Sequence, residues 1–275
     1  MRSLSLARAS IAAIVFILVS QAAFGQSPTS TPSPPAIVRD AQAIATVQSA
    51  IAAMGGTAAV AAIQDATFQG TIQEQTPAPS AGQTSDSLTF TWMTAGAQFR
   101  EETTGATSHR IYVSNSGSPV DQRDGQNVTV PPFVAQVNLP YQLPGLVLLN
   151  ELNNPNYTIS FVGPTNVNGT AAIQVHTCDE TDYTSHLIMP QEWYFDASTG
   201  LPIRVEYKLP KDTDVEHPWS LSIDFSNFTA AGAILVPRTL TINAGPATAT
   251  ATVNSVALNS GVPASAFAAP SAGAQ

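Results

Sequence analysis

Apolar residues change their spacing along the chain, and this change separates helical from extended segments. Across residues 40–54 they recur every three or four positions, which predicts an amphipathic helix. Gly55 and Gly56 follow directly and predict the end of that helix. A second short helix is predicted for residues 58–64. From Ala66 onward the period falls to two, which is typical of β-strands.

Alternation of apolar and polar residues continues through most of the remaining chain. Strands are predicted at residues 66–72, 88–93, 98–103, 109–113, 127–130, 157–162, 171–178, 191–196, 203–208, 220–225, 235–242 and 247–256. The pairs Asp124–Gly125 and Asn168–Gly169 predict tight turns between neighbouring strands. Because the large apolar residues occupy one strand face only, the sheet needs a cover there: a helix, a second sheet or a ligand.

A leucine-rich segment is one candidate for that cover. Residues 133–150 form a second predicted helical region, interrupted by Pro140 and Pro144. Its run from Leu146 to Leu149 is too apolar for a surface element, so we expect it to pack over the sheet. The predicted fold is therefore mainly β with α (α+β), in one domain that spans residues 36–270.

The ends of the chain carry other signals. Residues 1–25 have the features of a secretory signal peptide, with a basic start, an apolar stretch at residues 11–19 and small residues before Gln26. That stretch is far shorter than the roughly 20 residues of a membrane-spanning helix, so we expect no stable transmembrane span. Residues 26–35 predict a Pro/Ser/Thr linker, and residues 271–275 a flexible tail.

The charge balance excludes some partners. The net charge is −9, and removal of two arginines with the signal peptide makes it −11. Nucleic acids and anionic membrane surfaces require clustered basic residues, and Lys208 and Lys211 are the only lysines of the chain. Cys178 is the only cysteine, so an internal disulfide is excluded.

The densest group of chemically active side chains lies in residues 176–186. Imidazole, thiol and carboxylate groups can all bind metals, and His176 and Cys178 share one strand face. Cys178 and His186 are also conceivable as a nucleophile pair, but no glycine-rich oxyanion turn is recognisable near them. We favour a strand end that runs into a solvated acidic turn, with a metal site at His176, Cys178, Asp179 and His186 as the alternative.

Three segments resemble the outer-membrane lipoprotein carrier-like (LolA/LolB-like) family. Residues 193–207 (WYFDASTGLPIRVEY) are similar to its strand–Asp–turn–Gly-Leu-Pro–strand hairpin. Residues 225–238 (FSNFTAAGAILVPR) are similar to its re-entry through Val-Pro and a basic residue. Residues 256–270 (VALNSGVPASAFAAP) resemble its closing signature. The resemblance is clearest over residues 191–270.

The resemblance implies a curved, incomplete antiparallel β-barrel with helices that cover its concave face. In the carriers, the cavity on this face accepts acyl chains. The candidate cavity residues are Phe90, Trp92, Leu146, Leu149, Trp193 and Phe195. Carriers also hold an arginine inside the cavity as part of a gate. No motif places any of the following there: Arg100, Arg110, Arg204 and Arg238.

These observations favour an exported cell-envelope protein, periplasmic or extracellular, that binds a lipid or acyl chain and catalyses no reaction. We expect no cofactor and no nucleic-acid partner, and an envelope protein is a second candidate partner. Two alternatives stay open: a metal-dependent enzyme centred on the 176–186 segment, and a structural envelope module with a closed core. A mostly filled core with some residual cavity is the expected interior.

Overall fold

Strands dominate the structure, a computed structural model that describes residues 36–75, 87–115, 118–131, 139–211, 214–245 and 247–270. The chain from Pro34 to Gln275 forms one unit. The predicted signal peptide, the linker, the tail and residues 133–138 of the second helical region lie outside the described residues.

Thirteen strands in the described ranges form one antiparallel sheet. They are β1 (Asp65–Gln75), β2 (Ser87–Ala95), β3 (Gln98–Thr104), β4 (His109–Asn115), β5 (Ser118–Arg123), β6 (Gln126–Val128), β7 (Tyr157–Val167), β8 (Thr170–Asp179), β9 (Gln191–Asp196), β10 (Pro202–Lys211), β11 (Asp214–Ala231), β12 (Ile234–Ala244) and β13 (Ala247–Leu258). Their order is β6-β5-β4-β3-β2-β1-β13-β12-β11-β10-β9-β8-β7. The edge strands β6 and β7 are not joined, so the barrel is incomplete and the predicted fold class is confirmed.

Tight turns set the register of two hairpins. Asn168 and Gly169 have φ angles of 51° and 89°, and Asp124 and Gly125 have 49° and 81°. Positive φ at both central positions matches the twist of antiparallel strands, and these dipeptides adopt it readily. Both predicted turns are confirmed. Strand β5 was not predicted, because its sequence SPVDQR lacks the alternation on which the other predictions depend.

The sheet bends where its first and last strands meet. Strand β1 pairs with β13, and the register shifts between Gln69 and Gly70. A Cβ atom on Gly70 would lie 1.9 Å from the backbone oxygen of Thr252 and 2.8 Å from the ring of Phe90. Glycine is therefore required by the close approach of two strands, as is typical of bulges that curve a sheet.

Several short helices pack against the sheet. They are α1 (Ala41–Ala53), α2 (Thr57–Ala61), α3 (Pro144–Asn153) and α4 (Tyr183–Ile188), with a 3₁₀ helix at Ala264–Phe267. Asp40 caps α1, because its Oδ1 accepts hydrogen bonds from the backbone N–H groups of Gln42 and Ala43 at 2.7 and 3.0 Å. Helix α2 begins at Thr57, one residue earlier than predicted, and Gly56 stands at the cap position.

One hydrophobic core lies between α1, α2, α3 and the concave face. Ile51 of α1, Leu148 of α3 and Phe68 and Trp193 of the sheet are fully buried in it. A second, smaller cluster on the opposite face joins Phe267 of the 3₁₀ helix to Ile111 and Val113. In the part of the chain that the structure describes, no helix is both long and apolar enough to span a membrane.

Candidate functional site

Four of the predicted cavity residues form an aromatic wall on the concave face, defined here as Phe90, Trp92, Trp193 and Phe195. All four are buried in the main core. The rings of Phe90 and Trp92 stack with their centroids 3.9 Å apart, and those of Trp193 and Phe195 lie nearly parallel at 6.3 Å. Alternation along β2 and β9 points each pair inward. The curved sheet and its helices then place both pairs in one core.

The two predicted leucines lie on α3 and differ in burial. Leu149 is buried, whereas Leu146 is half-buried and lines a small cavity. The other residues around that cavity are Met54, Val60, Ile63, Leu143, Pro144, Gly145, Ile234 and Leu235. Its volume of about 10 Å³ accommodates about one water-sized sphere. This cavity is therefore far too small for an acyl chain.

A buried polar group lies beneath α3, and we call its members, Tyr141, Glu151, Thr177 and Gln191, the Glu151 cluster. Glu151 is only 3% exposed. Its Oε1 accepts a hydrogen bond of 2.8 Å from Nε2 of Gln191, whose Oε1 accepts one of 3.3 Å from the hydroxyl of Tyr141. Thr177 Oγ1 faces the same carboxyl group, but without the geometry of a full hydrogen bond. Polar contacts thus join α3 to β8 and β9.

Burial also changes the protonation of this carboxyl group. Desolvation raises the pKa of Glu151 to about 8, against the opposing effect of Thr177 and Gln191. Glu151 is therefore mostly protonated and neutral at pH 7. Sequence reasoning missed it, although a signal was present. Glu151 follows Val147 and Leu148 by four and three residues, which places it on the buried face of the helix.

Charged residues occupy the concave face near the other edge of the sheet. We call Glu101, Arg110, Asp121 and Arg123 the arginine cluster. Arg110 contacts Glu101 and Asp121 at 2.9 and 2.8 Å, and Arg123 contacts Asp121 at 2.8 Å. Strand register places Glu101 opposite Trp92, so the cluster shares a face with the aromatic wall. Burial opposes the charge of Arg110, but the two carboxylates raise its pKa above the usual value.

The other candidate arginines have different partners. Arg100 bonds to Glu102 and to the backbone oxygen of Ala266, in the 3₁₀ helix on the opposite face. Arg204 pairs with Asp224, and the half-buried Arg238 donates to Thr229. No sequence motif distinguishes among these arginines. In the structure, Arg110 lies on the concave face of β4, the face that also carries the core residue Tyr112.

The polar segment 176–186 is arranged differently from the predicted metal site. Strand pairing places His176 opposite Glu192, and their side chains are 2.7 Å apart. The carboxylate of Asp179 accepts a hydrogen bond of 2.9 Å from the backbone N–H of Thr181. Both residues therefore lie outside the group of potential ligands that the structure brings together.

Cys178 and His186 do come together, with Glu180 as an unpredicted third member. Nδ1 of His186 lies 2.8 Å from Oε2 of Glu180, and the sulfur of Cys178 lies 3.6 Å from the backbone oxygen of His186. Burial and the neighbouring Glu180 raise the pKa of the Cys178 thiol. A nucleophile pair would need the imidazole beside a thiolate, and here the imidazole bonds to Glu180 instead.

Comparisons with known proteins identify the fold. No protein-family model matches the sequence, and no curated protein sequence matches it significantly. A DUF1329 family protein from Desulfovibrio piger is similar in structure, with 12% identity, a TM-score of 0.50, and 82% of this chain and 96% of that chain covered. A LolA superfamily protein from Nitrosomonas europaea has 8% identity, a TM-score of 0.52, and coverage of 82% and 97%. The chain has a LolA-like fold, as the sequence motifs predicted.

Proposed function

We propose that the protein is exported to the cell envelope and binds a lipid or acyl chain on its concave face, without catalysing a reaction. The observation that carries the proposal is the aromatic wall beneath α3, a helix held to the sheet partly by polar contacts. An apolar wall suits a hydrocarbon chain. A cover with polar contacts suits a site that must open.

The free energy needed to displace α3 is comparable with the free energy gained when a hydrocarbon chain is buried. The helix region buries Leu143, Val147, Leu148 and Leu149. At about 1.5–3 kcal/mol each, their exposure costs roughly 6–12 kcal/mol. A chain of about 12 methylenes recovers about 10 kcal/mol at 0.8 kcal/mol each. The hydrogen bond between Gln191 and Glu151 adds little to the barrier, because each partner regains water when the helix moves.

The arginine cluster supplies a place for a polar head group. Arg110 and Arg123 keep 30% and 32% of their side chains exposed, and they lie on the same face as Trp92. A ligand with an apolar chain and a polar end therefore fits this face, with its chain over the aromatic wall. The cluster has two arginines and two acids, so it favours a polar or singly charged head group.

Contact quenching of tryptophan tests the proposal. Trp92 and Trp193 lie in the wall, whereas Trp219 is 53% exposed. In the Trp219→Phe variant, emission comes from the two wall residues alone. Delipidated variant protein is titrated with a fatty acid brominated along its chain, which quenches tryptophan only on contact. We expect saturable quenching, and lipid in solvent extracts of protein purified without delipidation.

The matched control is the double variant Trp92→Phe, Trp193→Phe, in which Trp219 is the sole reporter. The bromine atoms should leave its emission unchanged. Equal quenching in both variants would mean surface adsorption. No quenching in Trp219→Phe, together with no extracted lipid, would reject the proposal in favour of a structural module with a closed core.

Export is a separate part of the proposal. It rests on the signal-peptide features of residues 1–25, and the intact mass of protein recovered from the periplasm or medium tests it. We expect the mass of a chain that begins at Gln26. Recovery of the full-length mass from the cytoplasm alone would reject it. An envelope protein that receives or delivers the ligand is the proposed partner.

A further inference from the structure

The group of Cys178, Glu180 and His186, which we call the thiol cluster, shares no residue with the aromatic wall. Cys178 is the penultimate residue of β8, Glu180 follows that strand, and His186 lies in α4. One potential ligand atom from each residue lies within 4.8 Å of the other two. Thr177, the residue before Cys178, belongs to the concave face, so the thiol points to the opposite side of β8.

The cluster is buried, and in this it differs from an ordinary solvated turn. The residue Cys178 is 1% exposed, and the side chain of Glu180 is 4% exposed. A carboxylate withdrawn from water needs a compensating positive charge. His186 is its ion-pair partner among the described side chains, and it supplies a full charge only when protonated. The neighbouring Asp179 adds further negative potential at the sulfur. A bound cation would satisfy all of these groups.

We propose that Cys178, Glu180 and His186 bind a divalent cation of the zinc class and that the metal ties the end of β8 to α4. Thiolate, imidazole and carboxylate are the protein ligands of Zn²⁺. Tetrahedral coordination at the usual bond lengths requires ligand atoms about 3.4–3.6 Å apart. Side-chain rotations that move the ligand atoms by about 1 Å therefore complete the site. The side chain of His186 is 39% exposed, which gives the metal a path from solvent and leaves room for a water as fourth ligand.

The proton balance of binding is simple. The Cys178 thiol releases one proton to solvent and becomes the thiolate that binds the metal. A neutral His186 binds through Nδ1, the atom that faces Glu180, and the ring proton that Nδ1 shares with Glu180 before binding is exchanged through solvent for one on the outer Nε2. Glu180 binds as the carboxylate. Binding therefore releases about one proton per metal ion and strengthens as the pH rises.

Cobalt substitution tests the proposal with the full chain. Co²⁺ prefers the same ligands as Zn²⁺, and a thiolate ligand adds a sulfur-to-metal charge-transfer band in the near ultraviolet. We expect this band to saturate at one Co²⁺ per chain and to disappear when Zn²⁺ is added. Equilibrium dialysis against Zn²⁺ gives the stoichiometry independently. Absence of the band and less than stoichiometric zinc would overturn the proposal.

Variants identify the ligands. Cys178→Ser should abolish the charge-transfer band, and His186→Ala should weaken Zn²⁺ affinity by about tenfold or more. His176→Ala is the matched control, because His176 also contacts a carboxylate, Glu192, but lies outside the cluster. It should bind like the natural chain. Zinc binding that survives Cys178→Ser or fails in His176→Ala would contradict the assignment, and circular dichroism confirms that each variant is folded. The metal readout is independent of lipid binding.

Discussion

A single buried carboxyl group is the most informative residue of the concave face. Glu151 sits on the face of α3 that would be purely apolar if its only role were to seal the core. Its hydrogen bond to Gln191 offsets only part of the cost of removing a carboxyl group from water. Such a group is tolerated where the contact must be reversible, as the proposed function requires of this helix.

The titration of Glu151 gives a prediction about stability. The pKa of Glu151 is about 8 in the folded chain, whereas 4.5 is its ordinary value, so unfolding releases a proton between these two pH values. The stabilisation that comes from the protonation of Glu151 is therefore fully present below pH 4.5 and is lost as the pH rises to 8. Relative to Glu151→Gln, which does not titrate, the natural chain should lose up to about 5 kcal/mol across this window.

Urea unfolding of both proteins at pH 5 and pH 8.5 measures this difference. The nearby Tyr141 and Tyr157 do not interfere, because burial raises the pKa of both hydroxyls far above the window. Parallel pH profiles for the two proteins would show that Glu151 is hydrated in the folded state.

At the scale of secondary-structure elements, α3 is held at its C-terminal end by a residue that lies far from it in the sequence. Arg39 precedes α1, and its guanidinium donates to the backbone oxygens of Leu152, Asn154 and Tyr157 at 2.6, 3.1 and 3.3 Å. A cation at a helix C-terminus satisfies carbonyls that lack partners within the helix. The end of α3, α1 and the edge strand β7 are thereby joined at one point.

Removal of this contact should loosen α3. We expect Arg39→Ala to cost about 1–2 kcal/mol in the free energy of unfolding and to accelerate amide hydrogen exchange in residues 144–153. The comparison is Arg238→Ala, because Arg238 is half-buried and donates to a single hydroxyl, that of Thr229. Its cost should stay within about 0.5 kcal/mol. Unchanged exchange in α3 of Arg39→Ala would show that packing alone holds the helix.

The register shift between β1 and β13 gives a second prediction at this scale. Gly70→Ala should cost about 3 kcal/mol, because the added methyl group collides with the backbone of Thr252. Gly96→Ala is the comparison: its φ is +57°, and no heavy atom lies within 4 Å of the added Cβ. There the cost should be about 1 kcal/mol, from backbone strain alone. Equal costs in urea unfolding would mean that β1 and β13 separate easily.

At the scale of the whole molecule, the core joins strands that lie far apart in the sheet order. Trp92 of β2 and Trp193 of β9 are separated by β1, β13, β12, β11 and β10, yet they belong to one cluster with α1 and α3. Because both helices pack on this shared interior, the main core belongs to both halves of the sheet.

Unfolding should therefore be a single cooperative event. In the Trp219→Phe background, Trp92→Phe and Trp193→Phe each leave one reporter, in different halves of the sheet. For each variant, we expect the fluorescence of its single tryptophan and its far-ultraviolet circular dichroism to give the same urea midpoint. Midpoints that differ between reporter and circular dichroism in one variant would reveal two independently folding halves.

Local signals determined the elements of this protein. The period of two located most strands, the Asn168–Gly169 and Asp124–Gly125 pairs located their turns, and the terminal motifs indicated the fold. Helix spacing likewise located α1. Strand β5 was not predicted, because its inward-facing positions carry Asp121 and Arg123, which interrupt the apolar pattern on which strand prediction depends.

Only the tertiary structure decided which polar residues meet. Arg110 and Asp121 share a face through strand register, Glu151 reaches Gln191 across 40 residues, and Glu180 replaces His176 and Asp179 beside Cys178. These pairings depend on sheet curvature and on helix docking, which arise from contacts distant in the sequence. A short sequence pattern reports the face on which a side chain lies. It does not report which other side chains the fold places opposite that side chain.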